Sequence, residues 1–305
     1  MTGPASPFPL FTHQDCLRHD PGFGHPERPA RLRAVLERAG TLDGVEVHQV
    51  EPAAREAILR VHPEMHLARL AATSEAGGGM LDPDTILNEE SWHAAQLAAG
   101  AAIAAVHAVR ERPAAFAAVR PPGHHALAIR AMGFCLLNNA VIAAREAQAL
   151  GRERVMIVDW DVHHGNGTQA LVEQDPSIRY VSLHQFPWYP GTGAEEERGV
   201  GNVFNVPRPP GLEPQRYVED LWKTIESAVT DWPPAMVIVS AGYDAMRNDP
   251  LGGFTLEPEH YAEWIRRLRA RLPGVPLVGL LEGGYVPERV ADGVEATIEG
   301  LRDRD

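Results

Sequence analysis

The stretch that decides the fold is Val155-Met-Ile-Val-Asp-Trp-Asp-Val-His-His-Gly-Asn-Gly167. Four apolar residues run without polar alternation into Asp159, Asp161, His163 and His164. An unbroken apolar run of this length, bounded by polar residues, is the pattern of a strand buried on both faces, as in a parallel sheet covered by helices. The same design recurs outward along the chain. Ala114 to Val119 runs into Arg120-Pro-Pro-Gly-His-His125, the shorter and less purely apolar Tyr180 to Leu183 into His184 and Gln185, Met236 to Val239 into Ser240-Ala-Gly-Tyr-Asp244, and Val278 to Leu281 into Glu282-Gly-Gly-Tyr285. All five strands therefore present polar chemistry at their C-terminal ends, the edge at which open parallel sheets build their sites.

Amphipathic segments between the runs supply the covering layers. The pattern predicts helices over Ser91 to Arg112 with Ser91 as N-cap, Asn139 to Leu150 stopped at Gly151, Pro214 to Trp232, Glu257 to Leu272 stopped at Pro273-Gly274, and Pro287 to Arg302. Gly77-Gly78-Gly79 and the Gly- and Pro-rich segment from Gly191 to Pro210 read as loops. With no repeat and no low-complexity linker, residues 1–305 are expected to form one α/β domain with a central parallel sheet flanked by helices.

Lys and Arg number 28 against 41 Asp and Glu, a net charge of −13 that repels phosphate backbones and argues against direct nucleic-acid binding. It suits a cationic or amine-bearing substrate, although a merely solvated acidic surface has the same composition. Two cysteines, Cys16 and Cys135, provide neither a disulfide framework nor a Cys-rich zinc finger, so a zinc site must use His and carboxylate. Met1 to Leu10 lacks a basic region followed by an apolar stretch, and no apolar run approaches membrane-spanning length. The expected location is the cytoplasm, with no membrane partner.

Asp161 and His163 are two apart at a strand end, so their side chains leave the same face and are able to hold one metal. Asp249, in the loop Tyr243 to Pro250 after the next-to-last strand, is the best third ligand; three protein ligands plus an open position define a catalytic zinc. Taken alone, the Asp-x-His pair is equally well read as capped loop residues. His124 and His125 at the same edge offer the base and acid that metal-assisted hydrolysis needs, and Tyr285 offers a phenol for an oxyanion. Each of these alone also reads as an ordinary turn or strand-end residue.

The set is more specific than its parts. His25-Pro-Glu-Arg-Pro29, Pro121-Pro-Gly-His-His125, Gly133-Phe-Cys-Leu-Leu-Asn-Asn139, Asp159 to Gly167, Pro190-Gly-Thr-Gly193, Gly242-Tyr-Asp244 through Asp249-Pro250, and Glu282-Gly-Gly-Tyr285 occur in order along nearly the whole chain. In them the sequence resembles the histone deacetylase family and its bacterial relatives acting on acetylated lysines or polyamines. The resemblance implies an arginase-like fold and a single Zn²⁺ on Asp161, His163 and Asp249. It makes His125 the general base, His124 its electrostatic partner, Tyr285 the oxyanion donor and Asp159 the carboxylate that orients His124. It also implies an acyl-lysine tunnel walled by Gly133, Phe134 and Tyr189, with Leu256 at its rim. Arg31 is implied on a path for departing acetate, and K⁺ or Na⁺ near Asp159, Asp161, His163, Ser182 and Leu183.

Asn166 stands where many nuclear members have Asp, and with Trp160 it is similar to the class II-like branch. An uncharged partner stabilises imidazolium less, so His125 is expected to stay neutral at neutral pH. Acetyl-lysine peptides or proteins are the first expected substrates, and acetylated polyamines the alternative; Leu256 stands where a polyamine-specific relative can have Glu. The Leu87-Asn-Glu-Glu90 stretch supplies acid near the rim, or equally a helix N-terminus favouring Glu. A non-catalytic acyl-lysine binder would have lost a ligand or the tyrosine, and neither is lost. A two-metal arginase-type site would need further Asp and His ligands, and Ser240 lacks the nucleophile elbow of a serine hydrolase.

Overall fold

The structure, a computed structural model, describes residues 6–302; residues 1–5 of the Met1 to Leu10 segment, and 303–305, lie outside the described residues. Ten strands are β1 Phe8–Thr12, β2 Val45–Gln49, β3 Gly78–Asp82, β4 Thr85–Asn88, β5 Ala114–Ala117, β6 Val155–Asp159, β7 Ile178–Gln185, β8 Val203–Arg208, β9 Met236–Ala241 and β10 Leu277–Leu281. Eight form one sheet in the order β2-β1-β5-β10-β9-β6-β7-β8, every pairing parallel, while β3 and β4 pair as a separate antiparallel hairpin. The five strands legible as apolar runs are contiguous, β5-β10-β9-β6-β7, at the centre of the sheet.

Their burial explains the pattern. Val155, Met156, Ile157 and Val158 of β6 are fully buried, as are Val237, Ile238 and Val239 of β9. Each such side chain contributes roughly 1.5–3 kcal/mol of transfer free energy, and a polar residue in the run would forfeit it. Helices α1 Ala30–Ala39, α2 Arg55–Leu59, α3 Glu64–Glu75, α4 Ser91–Ala108, α5 Asn139–Ala149, α6 Asn166–Val172, α7 Pro214–Val229, α8 Pro258–Arg271 and α9 Pro287–Arg302 flank the sheet. They form two packed series, α7-α8-α9-α1 and α4-α5-α6. No helix among the described residues is long and apolar enough to cross a membrane.

Several boundaries differ from the sequence reading. Of the Gly77-Gly78-Gly79 loop, Gly78 and Gly79 start β3, and the Gly191 to Pro210 loop contains β8. Pro207 is tolerated there because β8 is an edge strand, where a missing N–H costs no ladder bond. Ser91 is the first helical residue of α4 rather than its cap; its hydroxyl donates to Asn88 Oδ1 and accepts from Asn88 N. Asn138 caps α5 by accepting from Val141 N at 3.0 Å.

Candidate metal centre and acyl pocket

Register fixes which residues meet. Asp159 at the end of β6 lies opposite Ser240 of β9 and Ser182 of β7, so the loops leaving β6 and β9 rise side by side. His163 Nδ1 stands 3.0 Å from Asp161 Oδ1 and 3.2 Å from Asp244 Oδ2. Asp244 Oδ1 accepts from Val162 N, whereas its Oδ2 is buried without a hydrogen-bond partner. Asp161 Oδ2 accepts from Gly283 N at 2.9 Å, which ties β10 into the same corner.

Among the described residues, Asp161, His163 and Asp244 form one of two tight donor groups, each offering one atom within 4.8 Å of the others; the second is His124, Cys135 and Glu282. Asp249 stands outside both groups: its Oδ2 accepts from Tyr285 N at 2.7 Å and its Oδ1 from Leu251 N at 2.9 Å. Beside Asp161 and His163 the sequence reading named Asp249 and did not consider Asp244. The signal available was its place directly after the β9 end, at Tyr243-Asp244.

The electrostatics fit a cation. Burial works against a charged His163, yet Asp161 and Asp244 override it and push the imidazole up to about 10. Burial and the neighbouring Asp161 raise Asp244 to about 6, and burial and Asp244 raise Asp249 to about 7. Asp161 and Asp244 on one buried imidazole, with Asp249 facing Asp244, leave an excess of buried negative charge that is costly without a compensating positive charge. Their O and N donors suit a divalent ion such as zinc.

β5 delivers the second group. His124 Nδ1 faces Asp159 Oδ2 at 3.2 Å, and the same oxygen accepts from Tyr180 Oη at 3.0 Å. Burial disfavours charge on His124, but Asp161 and Asp159 prevail and raise it to about 10. His125 Nδ1 lies 2.7 Å from Asn166 Oδ1. Burial, then the charges of His124 and His163, hold His125 well below the usual histidine range. Burial, with Asp244 and Asp161 nearby, keeps the Tyr285 phenol far above its ordinary range, so it remains an O–H donor.

A cavity of about 220 Å³ reaches this cluster, with His125, His163 and Tyr285 at its buried end and Gly133, Phe134, Tyr189, Asp84, Trp188 and Leu251 around it. Larger clefts of about 600 and 400 Å³ lie elsewhere, around Phe8, Arg112 and Arg269 and around Phe11, Val50 and Arg60; neither touches the histidine cluster. Gly133 has φ +56°, and a Cβ there would stand 2.4 Å from His125 Cδ2, so only glycine lets the wall approach the imidazole. Phe134 follows at φ +67°, a strained conformation for a bulky residue that turns its ring edge-on to Tyr285 at 5.7 Å. Tyr189 meets His125 edge-on at 5.1 Å.

Leu256 does not line the cavity. It is fully buried, its N–H donating to Ala245 O and its carbonyl accepting from Arg247 N, and this bridge to the Asp244 loop turns the side chain into the core. Leu251, Trp188 and Asp84 line the cavity instead and were not anticipated. Arg31 is fully buried, donates to the carbonyls of Glu282 and Gly284, and lies 5.1 Å over the Tyr285 ring. Ser182 Oγ and His184 Nδ1 are 2.9 Å apart beside β6. Glu90, in the stretch flagged at the rim, forms an ion pair with Arg18.

A parallel α/β sheet with carboxylate, imidazole and phenol groups converging on a narrow apolar pocket defines a hydrolase-type site. Residues 25–301 match the model of the histone deacetylase domain. Over 92% of its length the chain is 38% identical to a probable deacetylase of Archaeoglobus fulgidus, spanning 81% of that protein. It is 39% identical to the histone deacetylase-like amidohydrolase of Pseudomonas aeruginosa, over 86% of this chain and 73% of that one. The crystal structure of the HDA15 HD domain superposes with a TM-score of 0.91 at 38% identity, covering 96% of this chain and 90% of that one. The chain belongs to the histone deacetylase family, whose members are deacetylases that imply a bound metal ion.

Proposed function

We propose that the protein hydrolyses the side-chain amide of N-acetylated lysine in peptides or proteins, releasing acetate and a free amine, with one zinc ion per chain. The observation that carries this reading is that one narrow apolar cavity ends on a neutral imidazole, a phenol and a buried carboxylate–imidazole donor group. A zinc ion held by Asp161 and His163, with Asp244 or Asp249 completing the set, would supply Lewis acidity toward the acyl oxygen and water. K⁺ or Na⁺ beside Asp159 and Ser182, and a cytoplasmic location, belong to the same reading.

The residues of the chain do the rest. Phe134 and Tyr189 flank the lysine methylenes and exclude bulk water. Nδ1–H of His125 donates to Asn166 Oδ1, which leaves Nε2 with its lone pair as the base that takes a proton from water. As the water oxygen adds to the acyl carbon, the Tyr285 hydroxyl donates to the oxygen that gains charge. His124, held cationic by Asp159 and Asp161, keeps positive charge beside the developing anion. Cleavage of the C–N bond is completed when the proton on His125 passes to the leaving nitrogen.

Asp84 at the cavity favours a second reading, in which its carboxylate meets the far ammonium of an acetylated polyamine. Amine release from an acetyl-lysine peptide and from acetylated putrescine, with zinc-loaded protein and Asp161→Ala as control, separates the two. Peptide turnover that vanishes in the control is expected; selective turnover of the diamine transfers the assignment to polyamines, and turnover of neither by zinc-bound protein overturns both.

A further inference from the structure

The two halves of the site come from different strands. His124 and His125 follow β5, and Tyr285 follows β10; nothing in the catalytic groups themselves fixes their separation. The β5–β10 ladder ends at Ala117 and Leu280, and beyond it a closed ring of buried hydrogen bonds joins the two loops. Arg120, just beyond β5, grips Glu27 with two of its three guanidinium nitrogens, Nε to Oε1 at 2.8 Å and Nη2 to Oε2 at 2.6 Å. Glu27 Oε1 also accepts from Arg31 Nη1 at 2.9 Å, and Arg31 holds the carbonyls on both sides of Gly283. The ring closes through the Glu282 side chain, whose Oε2 accepts from Gly123 N at 2.6 Å and His124 N at 3.1 Å. Glu27, Arg31, Arg120 and Glu282 are all fully buried.

We propose that Glu282 is a positioning residue, its carboxyl oxygen clamping the Gly123–His124 turn to the Tyr285 loop and so setting the distance between base and oxyanion donor. The inference rests on the hydrolase reading above. Glu282 touches no reacting atom in this scheme; its Oε2 serves two N–H groups, and its buried Oε1 has no hydrogen-bond partner. One oxygen accepting two donors asks for reach and an acceptor, not for charge. A carboxamide of the same length meets that need, and a shorter carboxylate does not.

Three variants test this, measured as zinc-loaded protein on acetyl-lysine peptide. Because a displacement of about 1 Å costs on the order of a hundredfold, Glu282→Ala is expected to lose about tenfold to a hundredfold in kcat with KM nearly unchanged. Glu282→Gln should recover most of the turnover, while Glu282→Asp, which keeps the charge and loses one methylene, should stay slow. Glu282→Asp as fast as the parent, or Glu282→Gln as slow as Glu282→Ala, overturns the proposal, and the Gln and Asp pair decides it even if Glu282→Ala does not fold. Amide hydrogen exchange at Gly123 and His124 gives a readout free of turnover. Faster exchange there in Glu282→Asp, with protection kept in Glu282→Gln, upholds the clamp, and equal exchange in both overturns it. If the parent protein hydrolyses no acyl amide, the functional reading falls and the clamp is judged on exchange alone.

Discussion

Replacing Asn166 by Asp tests how the base is tuned. The Asn166 amide oxygen lies 2.7 Å from His125 Nδ1 and brings no net charge. The Asn166→Asp variant would place a carboxylate there, with charge centres about 4 Å apart, where a pair at an effective dielectric of about 20 interacts by about 4 kcal/mol. At about 1.36 kcal/mol per unit that is an upper bound of roughly 3 pKa units, and opposite charges at this range raise a histidine by about 1–3. The sign follows from the proton count. A base must be neutral in the free enzyme, so a higher His125 pKa moves the acidic limb of the kcat/KM profile to higher pH. In the parent protein burial and two cationic neighbours hold His125 well below its ordinary range, so that limb should lie far into acid. The assay is kcat/KM for an acetyl-lysine peptide from about pH 5 upward at fixed zinc and ionic strength. An acidic limb that does not move in Asn166→Asp refutes the assignment of His125 as base.

Gly133→Ala places a Cβ 2.4 Å from His125 Cδ2 at φ +56°; kcat should fall by about tenfold or more, read by steady-state kinetics, and the melting temperature should fall with it, because both the overlap and the backbone conformation are strained. Leu256→Ala should cost about 2–5 kcal/mol in denaturant unfolding and leave KM alone, because Leu256 is buried core. Leu251→Ala should do the reverse, raising KM with little loss of stability, because Leu251 lines the cavity. His62 is buried and neutral, Nδ1–H donating to Ala128 O and Nε2 accepting from Asn138 N, and burial with His66 beside it lowers it from 6.5 to about 4. The unfolded chain then binds the proton first, so His62 alone contributes a loss of about 1.4 kcal/mol per unit as pH drops from about 6.5 toward 4; His164 and His184, lowered to about 4 and about 3, add to it, and urea unfolding of His62→Gln should show a slope shallower by about that one share.

Much of this was legible because burial writes itself plainly on central strands. β5, β6, β9 and β10 are buried on both faces, so their sequences are largely continuous apolar runs, β7 being a less purely apolar case with Arg179 and Ser182, and their polar ends identified the site edge. The peripheral strands lack that mark. β2 is short and largely exposed, β1 contains Pro9, and β8 ends in Pro207-Arg208 inside a Gly-rich segment. Motif residues that leave a strand end, such as His125, His163 and Tyr285, converge on the cavity because the parallel sheet brings those ends to one edge. Asp244 was not singled out and Leu256 was placed at the rim because their directions depend on the path of the 243–256 loop, where a bridge between Met246 and Leu256 turns the Leu256 side chain to the core. The Arg120–Glu27–Arg31–Glu282 ring joins residues up to 255 apart, from 27 to 282, a separation at which no local pattern exists to read.

The most direct test of the account is amine release from an acetyl-lysine peptide by zinc-loaded parent protein and by Tyr285→Phe, with bound zinc counted in each. The account predicts turnover by the parent, one zinc per chain in both, and a loss of about a hundredfold to a thousandfold in kcat for the variant, as for removal of one oxyanion donor. A zinc-bound parent that releases no amine, or a Tyr285→Phe protein as fast as the parent, would contradict it.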